Sequence, residues 1–61
     1  MFLIEVLTPE KEIKKQYATA NLACDAVVKA YFYYQGLGQI VDIKMKTETG
    51  YLIYETKTET A

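Results

Sequence analysis

Any chemistry in this chain has to come from Cys24, six tyrosines, and eight carboxylates set against seven lysines. Histidine, arginine, serine and tryptophan are absent. No Ser–His or Cys–His pair can be built, no guanidinium can clamp a phosphate, and no imidazole can hold a metal. A reactive Cys24 would need a base or a positive field beside it. Alone, it can form neither an intrachain disulfide nor a structural zinc site, so it reads as packing on the inner side of a helix. The carboxylates of Glu5, Asp25, Asp42, Glu48, Glu55 and Glu59 show neither the spacing of a cation loop nor that of an acid–base pair. No catalytic residue, cofactor or metal is therefore assigned. Glu5 differs from the rest because its strand neighbours are all apolar. It is expected at a sheet edge near Lys44 or Lys57, and nothing in the sequence demands the raised pKa that burial can cause.

The aromatic run Tyr31-Phe32-Tyr33-Tyr34 turns through about 100° per residue on a helix, so its rings cannot form one stacking platform. Tyr31 and Phe32 are expected toward the sheet, Tyr33 away from it and Tyr34 at the edge. Tyrosine combines a large apolar area with a polar tip and favours protein interfaces; a ligand pocket at this end of the helix is the alternative. Lys44, Lys46 and Tyr54 read as sharing the exposed face of a C-terminal hairpin, and with Tyr34 they form the candidate partner-binding set. Lysines and aromatics on an open sheet suit single-stranded nucleic acid. Asp42, Glu48, Glu55 and Glu59 dilute that surface, however, and the net charge is -1. A second cluster, Lys11, Lys14 and Lys15, is diluted by Glu10 and Glu12 in the same way.

These residues need elements to position them. Residues 2–7 read as a strand covered on both faces. Thr8-Pro9-Glu10 has the form of a helix start, with a threonine cap, proline in the first turn and an acid after it. Nothing then breaks a helix over 9–35 before Gly36; a break at Thr19 or Asn21 is the main alternative. Residues 39–47 and 51–58 alternate as a hairpin around Gly50, which can supply a positive φ, and the tail from Thr56 to Ala61 is expected to fray. The result is an α+β domain of β-α-β-β order, with one long helix on a three-stranded, mainly antiparallel sheet. Strand order 1-3-2 puts the most apolar strand in the centre, and order 1-2-3 is the runner-up.

The helix has more apolar surface than such a sheet can cover. Ile13, Tyr17, Ala20, Cys24, Val27, Val28, Tyr31 and Phe32 form the sheet-facing stripe, yet Leu22, Ala23, Ala26, Ala30 and Tyr33 lie on the far side. A helix that is apolar nearly all round is buried nearly all round. A chain of 61 residues hides only about 60% of its unfolded surface and is marginal on its own. Without a disulfide or zinc, oligomerisation is the remaining support. The expected form is a homo-oligomer, most simply a dimer, packed helix to helix through Leu22, Ala23, Ala26, Ala30 and Tyr33.

In length and layout the chain resembles small tautomerases of the 4-oxalocrotonate type. Phe2 stands where their catalytic proline follows the initiator methionine, and their arginines have no counterpart here, so no residue carries over. The expected function is a non-enzymatic oligomeric protein–protein interaction module, acting on a protein partner. Two alternatives are a small nucleic-acid-binding regulator using hairpin lysines from two subunits, and a small-molecule binder at a tyrosine-lined subunit interface. With no basic leader and no long apolar segment, a cytoplasmic location is the default and no membrane contact is expected. The use of lysine to the exclusion of arginine suggests a viral or mobile-element accessory or inhibitor protein, by compositional association alone.

Overall fold

The computed structural model describes residues 1–59, which run β1 (Phe2–Leu7), β2 (Glu12–Tyr17), α1 (Ala20–Gly36), β3 (Asp42–Thr47) and β4 (Leu52–Lys57). The α+β class agrees with the sequence, but the sheet has four strands in the order β2-β1-β3-β4, all neighbours antiparallel. The expected helix over 9–35 is corrected to Ala20–Gly36, because its first half is a strand. Thr8 is the pivot. Its hydroxyl accepts the N–H groups of Glu10 and Lys11 at 3.3 and 2.9 Å, as a helix cap would. Its own N–H, however, donates to the Lys11 carbonyl at 2.8 Å and closes a hairpin loop. Beyond the loop, Ile13, Lys15 and Tyr17 share one face with Val6, Ile4 and Phe2, while Glu12, Lys14 and Gln16 take the other.

The helix begins at the alternative cap. Thr19 is extended, and its hydroxyl accepts the Leu22 N–H at 3.2 Å. Gly36 is the last helical residue, but the left-handed turn falls at Gly38, with φ 70°. There the Gln39 N–H reaches back to the Tyr34 carbonyl at 3.1 Å, which satisfies a terminal carbonyl of the helix. At the second hairpin Gly50 supplies the expected positive φ, 90°.

The extra strand explains the corrected order. Order 1-3-2 kept two parallel strands apart by placing the last strand between them. With β2 present, the chain enters the helix in the opposite direction, so β3 returns antiparallel to β1 and pairs with it directly. β4 is thus left at an edge. This change also removes the likeness of layout to the tautomerases. The fraying expected from Thr56 is corrected: β4 runs on to Lys57, and Thr58 and Glu59 are held. Buried Thr58 donates its hydroxyl to the Gln39 carbonyl at 2.6 Å and accepts the Val41 N–H at 2.8 Å, while the Glu59 N–H donates to Gln35 Oε1 at 3.0 Å. Thr60 and Ala61 lie outside the described residues.

Ile4, Val6, Ala23, Val27, Val41, Ile43 and Met45 form the core. The helix is turned roughly 90° from the expected orientation, at 100° per residue. Its sheet-facing line runs through Ala23, Val27, Ala30 and Tyr34, while Cys24, Val28 and Phe32 are exposed. Width accounts for what remains open. A helix about 10 Å across lies on a sheet about 19 Å wide. It packs mainly on β1 and β3, leaving a groove on each side of it.

Candidate interaction surface

The expected helix–helix seam does not form one outward face. Ala23 is 0% exposed, beneath the helix in the core. Leu22, Ala26 and Ala30 line the groove beside β2, together with Ile13, Tyr17 and the charged Lys15, Asp25 and Lys29. Tyr33 is exposed on the outer flank, edge-on to Tyr34 with ring centroids 5.0 Å apart. Asp25 and Lys29 form a helical i,i+4 pair at 2.9 Å, and the carboxylate raises the Lys29 pKa through its hydrogen bond and charge.

The candidate partner-binding residues are also divided. Lys44 and Lys46 lie on the open face of the sheet. Tyr54 stands opposite Met45, on the helix-bearing face, and Tyr34 packs at the far end of the helix. A bulge causes the split within the hairpin: Met45 pairs with Tyr54 and Lys46 with Leu52, so Ile53 is an extra residue. Bulges bend a strand and re-aim its side chains. Here Ile53 and Tyr54 both line the groove beside β4, with Phe2, Cys24, Val28 and Met45. Tyr31, Phe32 and Thr56 extend that groove along the helix. Its volume, about 490 Å³, falls within the range of ligand clefts, but such clefts carry several convergent polar groups. Beside β4 the lining offers the Tyr54 hydroxyl and the Cys24 thiol and is otherwise apolar. Phe32 is 67% exposed and Tyr54 52%, and with Val28 and Ile53 they form an apolar strip along this groove, whereas Leu52, opposite Lys46, lies on the open face.

The open face has a different character. In register, one row across the sheet reads Lys14, Glu5, Lys44, Glu55, and the next reads Glu12, Leu7, Asp42, Lys57. Glu5 is near the middle of this face rather than at an edge, with its carboxylate 2.9 Å from Lys46 and 3.9 Å from Lys14. Lys14 also meets Glu12 at 3.0 Å, and Lys44 meets Glu55 at 3.8 Å. The Glu5 pKa is lowered rather than raised. The hydrogen bond from Lys46 outweighs the cost of burial, and the charges of Lys46, Lys14 and Lys44 add to it. This ladder is invisible as long as Lys14 and Glu12 are taken for helical residues; the period-two alternation over residues 12–17 is the signal that could have found it.

A depressed carboxylate pKa stabilises the folded state above the unfolded value, and that contribution is lost as pH falls through the folded value. Glu5→Gln is therefore expected to lower Tm at neutral pH. The gap to the parent protein should close as pH drops through and below the ordinary value of 4.5. Thermal melts of both proteins across that range check this; a gap independent of pH contradicts it.

Among the described residues, no three His, Cys, Asp or Glu side chains gather where they could hold a metal ion, and no helix is long and apolar enough to cross a membrane. Cys24 is exposed, contrary to expectation. No protein-family model, curated protein or solved structure matches the chain.

Proposed function

We propose that this protein is a non-enzymatic interaction module of the cytoplasm whose working form is a homodimer, with an accessory rather than a catalytic role. The observation that carries this reading is the exposed apolar strip of Val28, Phe32, Ile53 and Tyr54 along the groove beside β4. These side chains are about half exposed or more in a chain that has little core to spare. Burying them against a second copy adds about 25 cal/mol for each Å² of apolar area removed from water. Large contiguous apolar patches mark interfaces. The charge-balanced open face favours this reading over nucleic-acid binding, since Lys14, Lys44 and Lys46 each already face a carboxylate and would have to leave it to neutralise a phosphate. Native mass spectrometry and light scattering over a concentration series test the reading. A dimer that dissociates on dilution is expected; a well-folded monomer at the highest soluble concentration overturns it.

A further inference from the structure

The homodimer proposed above leaves open which surface joins the copies, and the geometry points to the β4 edge: two β4 strands pair antiparallel about a two-fold axis at Thr56, with Glu55 of each copy opposite the partner subunit's Lys57. Residues directly opposite each other in such a pair lie on the same face of the sheet, so the axis must pass through a residue position. At β2, an axis at Lys14 or Lys15 sets a lysine against its own copy. An axis at Ile13 pairs Glu12 with Lys14 but sets Lys11 against the partner subunit's Lys15, and an axis at Gln16 pairs no charges. Edge lysines of this kind discourage pairing. At β4, an axis at Glu55 opposes two carboxylates, and an axis at Tyr54 leaves Glu55 and Lys57 facing Ile53 and Tyr51. An axis at Thr56 pairs both charges twice.

Two further features agree with this register. The Thr58 N–H bonds the Val41 carbonyl at 3.1 Å, which sets the phase of the β3–β4 ladder. Thr56 then turns its backbone groups toward β3, while Glu55 and Lys57 turn theirs outward, free to bond a new strand. The charge pattern also continues across the axis. The row Lys14, Glu5, Lys44, Glu55 is followed by the partner's Lys57 and then the partner's Asp42, so signs alternate through six positions with no like neighbours. On the other face, Tyr54 comes beside the partner's Thr58, so that pairing covers part of the apolar strip of each copy.

Charge reversal and cross-linking test the arrangement. Glu55→Lys alone or Lys57→Glu alone creates two like-charge pairs per dimer and is expected to raise the dimer Kd at least about tenfold. Mixing the two variants restores both opposite-charge pairs, so a heterodimer should form that neither variant's homodimer matches in stability. Independently, Thr56→Cys with Cys24→Ser should oxidise to a disulfide-linked dimer, because Thr56 and its copy form a non-hydrogen-bonded pair about 4.5 Å apart at Cα. The loop control Thr49→Cys with Cys24→Ser should not. A parent dimer that is indifferent to both reversals, with no cross-link from the Thr56→Cys variant, overturns the β4 pairing and leaves self-association standing. A parent protein that is monomeric throughout overturns both.

Discussion

Ala23→Glu is expected to leave the chain unfolded at room temperature, whereas Leu22→Glu, one residue away, should change stability by less than about 1 kcal/mol. Ala23 is 0% exposed where the helix lies closest to the sheet, among Ile4, Val27 and Ile43. A glutamate there must either bury an unpaired charge or push the helix off the sheet. Either outcome costs several kcal/mol. At about 0.05–0.15 kcal/mol per residue, a domain of this length has roughly 3–9 kcal/mol in total, so the substitution consumes most or all of it. Leu22 is 53% exposed on the rim of the β2 groove, where a carboxylate stays wet. Far-UV circular dichroism with urea titration distinguishes the two variants. A folded Ala23→Glu beside an unfolded Leu22→Glu would place the opposite side of the helix on the sheet. Leu22→Glu also separates two modes of association: helix–helix packing through Leu22 predicts dissociation of the dimer, and β4 pairing predicts an unchanged native mass.

Ile13 and Tyr17 show why the first half of the helix is misread from sequence. A spacing of four advances a helix by about 400°, returning nearly to the same face, and it is also an even number of strand residues. The pair is equally at home on either element. Thr8 compounds the ambiguity, since its hydroxyl makes the same local hydrogen bonds in the hairpin loop that it would make at a helix cap. The alternation of Glu12, Lys14 and Gln16 against Ile13 and Tyr17 points to a strand. It is outweighed by the absence of any helix breaker. β1, the span from Thr19 to Gly36 and the second hairpin are legible because a true cap, glycines and the alternation over residues 41–46 mark them.

The candidate surface is legible as surplus but not as place. Composition along the helix already requires more cover than one small sheet supplies, and exposed Val28 and Phe32 carry that surplus. Its location depends on two features hidden from a linear reading. One is the rotation of the helix, set by the need to place the small Ala23 at closest approach. The other is the bulge after Met45, which turns Tyr54 away from Lys44 and Lys46. The charge ladder around Glu5 likewise exists only once Lys14 is on a strand, because cross-strand neighbours are far apart in sequence.

Thr58→Val is expected to destabilise the fold by about 2 kcal/mol, although it keeps nearly the same shape, because it removes both hydroxyl bonds of a residue that is 1% exposed. The Val41 N–H loses its acceptor at 2.8 Å, and the Gln39 carbonyl loses its donor at 2.6 Å. Both groups then lie where valine has nothing to offer them. For a domain of this size each kcal/mol moves Tm by about 4–8 °C, so a fall of roughly 8–16 °C should appear in a thermal melt. Thr56→Val is the control. That side chain makes no hydrogen bond among the described residues, and a β-branched replacement suits a strand, so Tm should move little. Equal melting of the two variants would mean that the tail is not clipped by Thr58. The clip also matters for association, since the Thr58 N–H bond to Val41 sets which backbone groups of Glu55 and Lys57 face outward. Loosening it should therefore weaken the dimer as well as the monomer fold, an effect that Thr56→Val does not share.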